Sequence, residues 1–63
     1  MGYVVFYFDT KENCRFYLTD DGKWSLRNIF AKRFECATNA ENEVLDQRDR
    51  GIWCVYDKLE NLL

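Results

Sequence analysis

The sequence predicts a small α+β domain in which one helix packs on one face of an antiparallel sheet of about four strands. Three observations predict it: two apolar runs separated by a turn-rich segment, a helix-start pattern at 38–41, and a further apolar run at 52–56. The 63 residues, of which 48% are hydrophobic and 17% aromatic, are enough for one domain, 1–63, with a rich core. The predicted order of elements is β-β-β-α-β.

The first two strands form the predicted hairpin. Residues 3–8 are all β-branched or aromatic, which is typical of a strand with both faces covered. Five polar residues, 9–13, then lead into a second strand at 14–18. The Asp-Asp-Gly turn at 20–22 reverses the chain again, because glycine accepts the positive φ that the turn requires. Trp24 is thereby brought opposite the end of the second strand.

Residues 25–36 are compatible with two structures. The apolar positions 26, 29, 30 and 34 have helical spacing, whereas 32–36 alternate as in a strand. We favour a loop or single turn at 25–30 and a short third strand at about 31–36, because a helix here would run almost into the next one.

A helix is predicted from Thr38, which with Glu41 matches a capping box. Arg48 and Arg50 lie in its last turn, where positive charge is favourable, and Gly51 is placed to end it. Its apolar stripe is narrow, so the helix covers one face of the sheet.

The last strand is predicted at 52–56, and residues 58–63 close as a short amphipathic turn or dock as a tail. One helix leaves the second apolar face of the sheet uncovered. We expect that face to meet a partner, most simply a second copy of the chain in a homodimer. The candidate interface residues are Tyr3, Val5, Tyr7, Trp53 and Tyr56.

Composition bounds the class of function. The chain has no histidine, the commonest general base and zinc ligand, so we expect a protein that is not an enzyme and uses no cofactor or metal. The net charge of −2 argues against binding double-stranded DNA or an anionic membrane. The longest apolar run, 3–8, is too short for a membrane span and lacks the basic flank of a signal peptide, so a cytoplasmic location is expected.

The three cysteines, Cys14, Cys36 and Cys54, form no C-x-x-C pair. We interpret them as small buried hydrophobes in a reducing compartment, with a reactive or intermolecular thiol as the alternative. Asp20 and Asp21 are interpreted as turn formers rather than as a metal or acid–base pair.

Aromatic and basic side chains of the first half form the candidate binding set. On the predicted second and third strands and the turn after the second, they would share one rim. Such a rim suits an acidic protein surface, a small nucleotide or single-stranded nucleic acid. The set is Arg15, Tyr17, Trp24, Arg27, Lys32 and Arg33.

Residues 15–45 carry a pattern of a hairpin, a tryptophan after a glycine turn, a short basic strand and a capped helix. Its letters are YLTDDGKW at 17–24, Ile29, AKRF at 31–34, Thr38 and Ala40-Glu41. The pattern resembles small uncharacterised accessory proteins of bacteriophages and mobile elements. The resemblance implies a binding protein that inhibits host machinery or counters host defence, and it transfers no functional residue.

We therefore expect a small protein that inhibits a host or anti-phage defence factor by protein–protein contact in the host cytoplasm. The alternatives are a homo-oligomer that sequesters a small anionic nucleotide, and a weak single-stranded nucleic-acid binder. In a nucleotide site, Arg15, Arg27 or Arg33 would contact phosphate, and Tyr17 or Trp24 would contact the base.

Overall fold

The computed structural model describes residues 2–63 and has one α-helix packed on a four-stranded antiparallel sheet, which confirms the predicted fold class. Met1, part of the predicted domain 1–63, lies outside the described residues. The strands, in spatial order β3-β2-β1-β4, are β1 (Tyr3–Asp9), β2 (Cys14–Leu18), β3 (Trp24–Ser25) and β4 (Val55–Lys58). The helix α1 is Ala37–Asp49, and 3₁₀ turns lie at Asn28–Phe30 and Leu59–Leu62.

The β1–β2 hairpin is confirmed, with Asp9 opposite Cys14 at its end. The Asp9 carboxylate closes the turn by accepting the backbone N–H groups of Lys11 and Glu12 at 2.9 and 3.1 Å. Asn13 takes a positive φ of 56°, which asparagine tolerates better than most residues. The polar segment between the strands therefore builds its own turn.

The third strand follows the glycine turn directly, so the prediction of a strand at 31–36 is wrong. Gly22 has a φ of 80° and reverses the chain tightly enough for Trp24 to pair with Leu18. The strand β3 has only two residues, and the chain leaves the edge of β2 after Ser25.

Residues 31–36 contact the sheet through isolated bridges and do not form a strand ladder. Ala31 bridges to Thr19, and Phe34 bridges to Tyr3 beyond the end of β2. Of the predicted loop or single turn at 25–30, residues 28–30 form the first 3₁₀ turn, whereas Ser25 belongs to β3.

The helix begins earlier than predicted, with Cys36 at the N-cap in an extended conformation. No side chain bonds to the first turn, so the predicted capping box of Thr38 and Glu41 is wrong. Phe34 packs in the core beneath the helix two residues before the N-cap. We attribute the early start to this packing, since tertiary contacts contribute most of the stability of a helix of this length.

The end of α1 is confirmed. Gly51 has a φ of 90°, and its N–H donates to the Arg48 carbonyl at 2.9 Å. The N–H of Ile52 donates to the Gln47 carbonyl at 3.0 Å. These two bonds form a Schellman motif, which turns the chain sharply away from the helix axis.

The last strand is Val55–Lys58 rather than 52–56. Ile52 is held by the Schellman motif, and Cys54 is fully buried beside the helix, with its Sγ 4.0 Å from the Val44 carbonyl oxygen. The chain therefore joins β1 only at Val55.

One face of the sheet packs against α1 as predicted. The buried residues of this helix-side cluster are Val5, Leu18, Phe34, Ala40, Val44 and Cys54.

The opposite face is also covered, so the prediction of an open apolar face is wrong. Val4 is fully buried there, and Tyr17 is 5% exposed. Leu59 and Leu62 of the second 3₁₀ turn and Ala31 pack against them. The C-terminal residues 58–63 thus dock as a turn, one of the two predicted outcomes.

Within residues 2–63, no helix combines the length and the apolar character needed to cross a membrane.

Candidate binding surface

The most exposed aromatic side chain of the described residues belongs to Trp53, at 76%. Its ring is covered on one side by the guanidinium of Arg48, which lies 4.2 Å from the ring centroid. Arg48 is fixed in turn, because its Nε and Nη2 donate to the Cys54 carbonyl at 3.1 and 2.9 Å. The stacked cation therefore favours one orientation of the exposed indole.

The turn after α1 brings these groups together. Arg48 lies in the last helical turn, and the Schellman motif at Gly51 reverses the chain so that Trp53 returns over it. The Cys54 thiol lies below, fully buried. Burial raises the pKa of the Cys54 thiol, while the Arg48 charge acts in the opposite direction.

A groove runs beside Trp53, and we call it the aromatic groove. It is open, has a volume of about 430 Å³, and is lined mostly by aromatic side chains. Its lining residues are Tyr7, Phe8, Trp24, Gly51, Ile52 and Trp53. Tyr7 meets Trp24 edge to face at 4.9 Å and stacks on Phe16 at 5.3 Å, so the floor of the groove is packed in place.

The edge strand next to Trp53 has two backbone groups bound by side chains. Arg48 takes the Cys54 carbonyl just before β4, and the Asp57 carboxylate accepts the Lys58 N–H at 2.7 Å. The N–H of the next residue, Leu59, donates inward across the sheet to the Gly2 carbonyl at 2.9 Å. Because successive N–H groups along a strand point to opposite sides, the Lys58 N–H lies on the outer side. The two bound groups, one just before β4 and one at its last residue, hinder pairing with a further strand there, which favours recognition through side chains.

A second exposed apolar region surrounds the first 3₁₀ turn, and we call it the Ile29 ridge. Leu26, Ile29 and Phe30 are 59%, 66% and 56% exposed. Ile29 lines two pockets at once, one on each side of it. The larger pocket, of about 530 Å³, is also lined by Trp24 and by the two aspartates of the Asp-Asp-Gly turn at 20–22, which we call the acidic turn. The smaller pocket is lined by Arg27.

The structure does not gather the predicted rim set at one place. Tyr17 is buried, and Arg15 lies on the same face of the sheet with its guanidinium 5.7 Å from the Phe6 ring. Tyr17 and Arg27 together line the smaller pocket beside the Ile29 ridge.

The other members of the rim set lie apart. Trp24 packs against Tyr7 on the helix side of the sheet. The Lys32 ammonium lies 5.2 Å from the Phe34 ring, and Arg33 is exposed.

The predicted interface set is not one exposed surface either. Val5 is fully buried, and Tyr3, Tyr7 and Tyr56 pack half-buried around it under α1. Trp53 alone of these five is exposed.

The cysteines differ in environment. Cys54 is buried as predicted, Cys14 is half-buried, and Cys36 is exposed, so the prediction of three buried cysteines is wrong for Cys36. All three are free thiols. Cys36 is exposed because it occupies the N-cap at the surface end of α1.

The acidic turn has a structural explanation. The Thr19 hydroxyl donates to the Asp21 carboxylate and accepts the Lys23 N–H at 3.1 Å. The Thr19 hydrogen bond lowers the pKa of Asp21, which keeps this carboxylate ionised. Among residues 2–63 there is no group of three or more potential metal ligands.

Sequence reasoning missed Arg48 and Phe8 beside Trp53, and it missed the exposure of Leu26, Ile29 and Phe30. The arrangement of Arg48 has a local signal, namely an arginine in the last helical turn, a terminating glycine and an aromatic residue two positions later. The exposure of the ridge has none, because it depends on the chain leaving the sheet after Ser25.

Comparison with protein families, curated proteins and solved structures gave no match. The resemblance to bacteriophage accessory proteins therefore stays a prediction.

Proposed function

We propose that this chain is a non-enzymatic protein-binding module that uses Trp53 as its anchor. It acts by occupying a surface of a target protein, as an inhibitor of the kind expected from the sequence would do. The observation that carries the proposal is the 76% exposed indole of Trp53, stacked against the Arg48 guanidinium.

An exposed tryptophan held in one orientation is well suited to binding. Tryptophan and arginine are enriched among the residues that contribute most to binding free energy, and Trp53 and Arg48 form such a pair. A side chain that is already ordered loses little conformational entropy when the partner binds. Arg48 supplies that order through the Cys54 carbonyl.

The aromatic groove provides the surroundings that such an anchor needs. Phe8, 54% exposed, lines it together with Trp53 and Ile52. An apolar side chain of the target that entered the groove would be shielded from water by these rings. Among the lining residues, Tyr7 carries the single ionisable group, which suits contact rather than chemistry.

A capture experiment with a matched control tests the proposal. The tagged chain and its Trp53→Ala and Leu63→Ala variants are incubated with a lysate of the native cells, and the recovered proteins are quantified by mass spectrometry. Leu63 is the control because it is apolar and 77% exposed but lies at the C-terminus, outside the aromatic groove. Circular dichroism verifies that all three chains are folded.

The expected result is a specific protein that wild type and Leu63→Ala recover and Trp53→Ala does not. With that protein purified, Trp53→Ala should raise the Kd about 30-fold, the effect of losing a residue central to binding. Equal recovery and equal affinity for both variants would overturn the proposal.

A further inference from the structure

We propose that the Ile29 ridge is a two-fold interface with a second copy of this chain. The ridge presents three large apolar side chains within five residues, each more than half exposed in the monomer. Its larger pocket shares Trp24 with the aromatic groove but does not include Trp53, and the inference does not depend on the proposed function.

The shape of the ridge is self-complementary. Ile29 stands between two pockets, and the larger has about 530 Å³ of open space with Trp24 and Phe30 on its walls. In a two-fold dimer each copy offers the same patch, so the Ile29 side chain of one copy enters the larger pocket of the other. Both the protruding group and the space that receives it are therefore present on one chain.

The charges around the ridge identify a second copy as the occupant. The larger pocket carries Asp20, Asp21 and Lys23, which together have a net negative charge. The smaller pocket, on the other side of Ile29, carries Arg27. A two-fold axis between Ile29 and the larger pocket brings each Ile29 to the pocket of the other copy and turns Arg27 of each copy toward the acidic turn of the other.

The acidic turn is prepared for this contact. The Thr19 hydroxyl holds the Asp21 carboxylate, and Thr19 itself is bonded to the Lys23 backbone. Gly22, with a φ of 80°, fixes the turn in which Asp20 and Asp21 are presented. The Asp21 carboxylate is thus ordered before the second copy arrives, which lowers the entropic cost of association.

The size of the molecule favours a modest interface. The monomer exposes 4489 Å² in total, and a standard interface of about 800 Å² per partner would cover roughly a fifth of it. Obligate dimers bury larger areas than this, so we expect a reversible dimer rather than an obligate one.

Analytical ultracentrifugation over a concentration series tests the inference. Wild type should shift from monomer to dimer as the concentration rises. Ile29→Asp should raise the dimer Kd about 100-fold, because it places a charge at the centre of the interface. Ile29 is 66% exposed, so the variant keeps the monomer fold, which circular dichroism verifies.

A charge exchange makes the test independent of apolar contacts. Arg27→Asp alone should weaken the dimer about tenfold, because each copy loses an attraction and gains a repulsion. Adding Asp20→Arg to the same chain should restore most of the affinity. Failure of this rescue would overturn the assigned pairing.

Two variants serve as controls. Leu45→Asp changes an apolar residue of similar exposure, 53%, on α1, and Trp53→Ala removes the anchor of the proposed function. Both should leave the dimer intact. Disruption of the dimer by either control would overturn the inference. A wild-type chain that is still monomeric at about 1 mM would overturn it as well.

Discussion

Arg48 stacks on the exposed ring of Trp53 and at the same time binds the Cys54 carbonyl through two hydrogen bonds. One side chain of the helix therefore ties the turn after α1 to the beginning of the edge strand. The same contact that stabilises the fold also orients the proposed binding residue.

Removing Arg48 should lower both the stability of the domain and the order of Trp53. We expect Arg48→Ala to reduce the free energy of unfolding by about 1.5–3 kcal/mol, since hydrogen bonds from a charged donor to the Cys54 carbonyl are lost. Urea unfolding followed by Trp fluorescence measures this change.

Arg50→Ala is the matched control for Arg48→Ala. Arg50 forms an exposed ion pair with Asp46 at 3.3 Å, one helical turn apart, and such pairs contribute about 0–1 kcal/mol. Equal destabilisation by the two substitutions would contradict the role assigned to Arg48.

The two faces of the sheet should be equally sensitive to cavities. Val4 and Val5 are both fully buried and lie on opposite faces. We expect Val4→Ala and Val5→Ala each to cost about 2 kcal/mol, because each removes two buried methyl groups and leaves a void. Chemical denaturation gives both values.

Val55→Ala provides the exposed reference, since Val55 is a strand residue that is 42% exposed. Its cost should stay below that of either buried substitution. A small effect of Val4→Ala beside a large effect of Val5→Ala would mean that the second face is open after all.

The sequence was sufficient for the hairpin and the end of the helix because both depend on local chemistry. Asp9 closes the hairpin turn with its own carboxylate, and Gly51 ends α1 with a positive φ. Residues within a few positions of one another determine each of these features, so pattern alone identifies them.

The start of the helix and the covered second face were not predictable in that way. Thr38 has the spacing of a cap, yet the buried Phe34 precedes an N-cap at Cys36. Val4 is covered by Leu59, which lies 55 positions further along the chain. Both outcomes depend on packing between distant segments, which a local pattern does not contain.

The candidate site was only partly predictable for the same reason. The sequence predicts Trp53 as an interface residue, but a strand at 52–56 would place it within the sheet. The Schellman motif and the buried Cys54 delay β4 to Val55, and this delay leaves the Trp53 ring exposed over Arg48. Because β4 begins three residues later than predicted, the surroundings of Trp53 differ from those that the sequence predicts.

The three thiols should react with iodoacetamide in the order of their exposure. Cys36 is exposed and should be alkylated first, and the fully buried Cys54 should react only on unfolding. Burial, and then the charges of Asp9 and Glu12, raise the pKa of Cys14, so it should react at an intermediate rate. Peptide mapping by mass spectrometry after timed alkylation gives the three rates. Modification of Cys54 as fast as Cys36 would show that the segment after α1 opens readily.

The contribution of Asn61 to stability should disappear in acid. Its Nδ2 donates to the Asp57 carboxylate at 3.0 Å, and this bond, followed by the Lys58 N–H, lowers the pKa of Asp57 from its usual 3.8. Above 3.8 the carboxylate is ionised in the folded and the unfolded chain, so the folded state keeps the full benefit of both bonds. As the pH falls through the lowered pKa, Asp57 takes up a proton and the benefit is lost.

Thermal unfolding of wild type and Asn61→Ala at neutral and acidic pH measures this effect. The Tm difference between them should be clear at about pH 7 and should shrink as the pH falls through the lowered pKa of Asp57, because the ionised acceptor is then lost. Glu60→Gln, which removes a charge from the same 3₁₀ turn, controls for general electrostatics. If Asn61→Ala lowered the Tm equally at both pH values, its role would lie in packing of the C-terminal turn rather than in holding the Asp57 carboxylate.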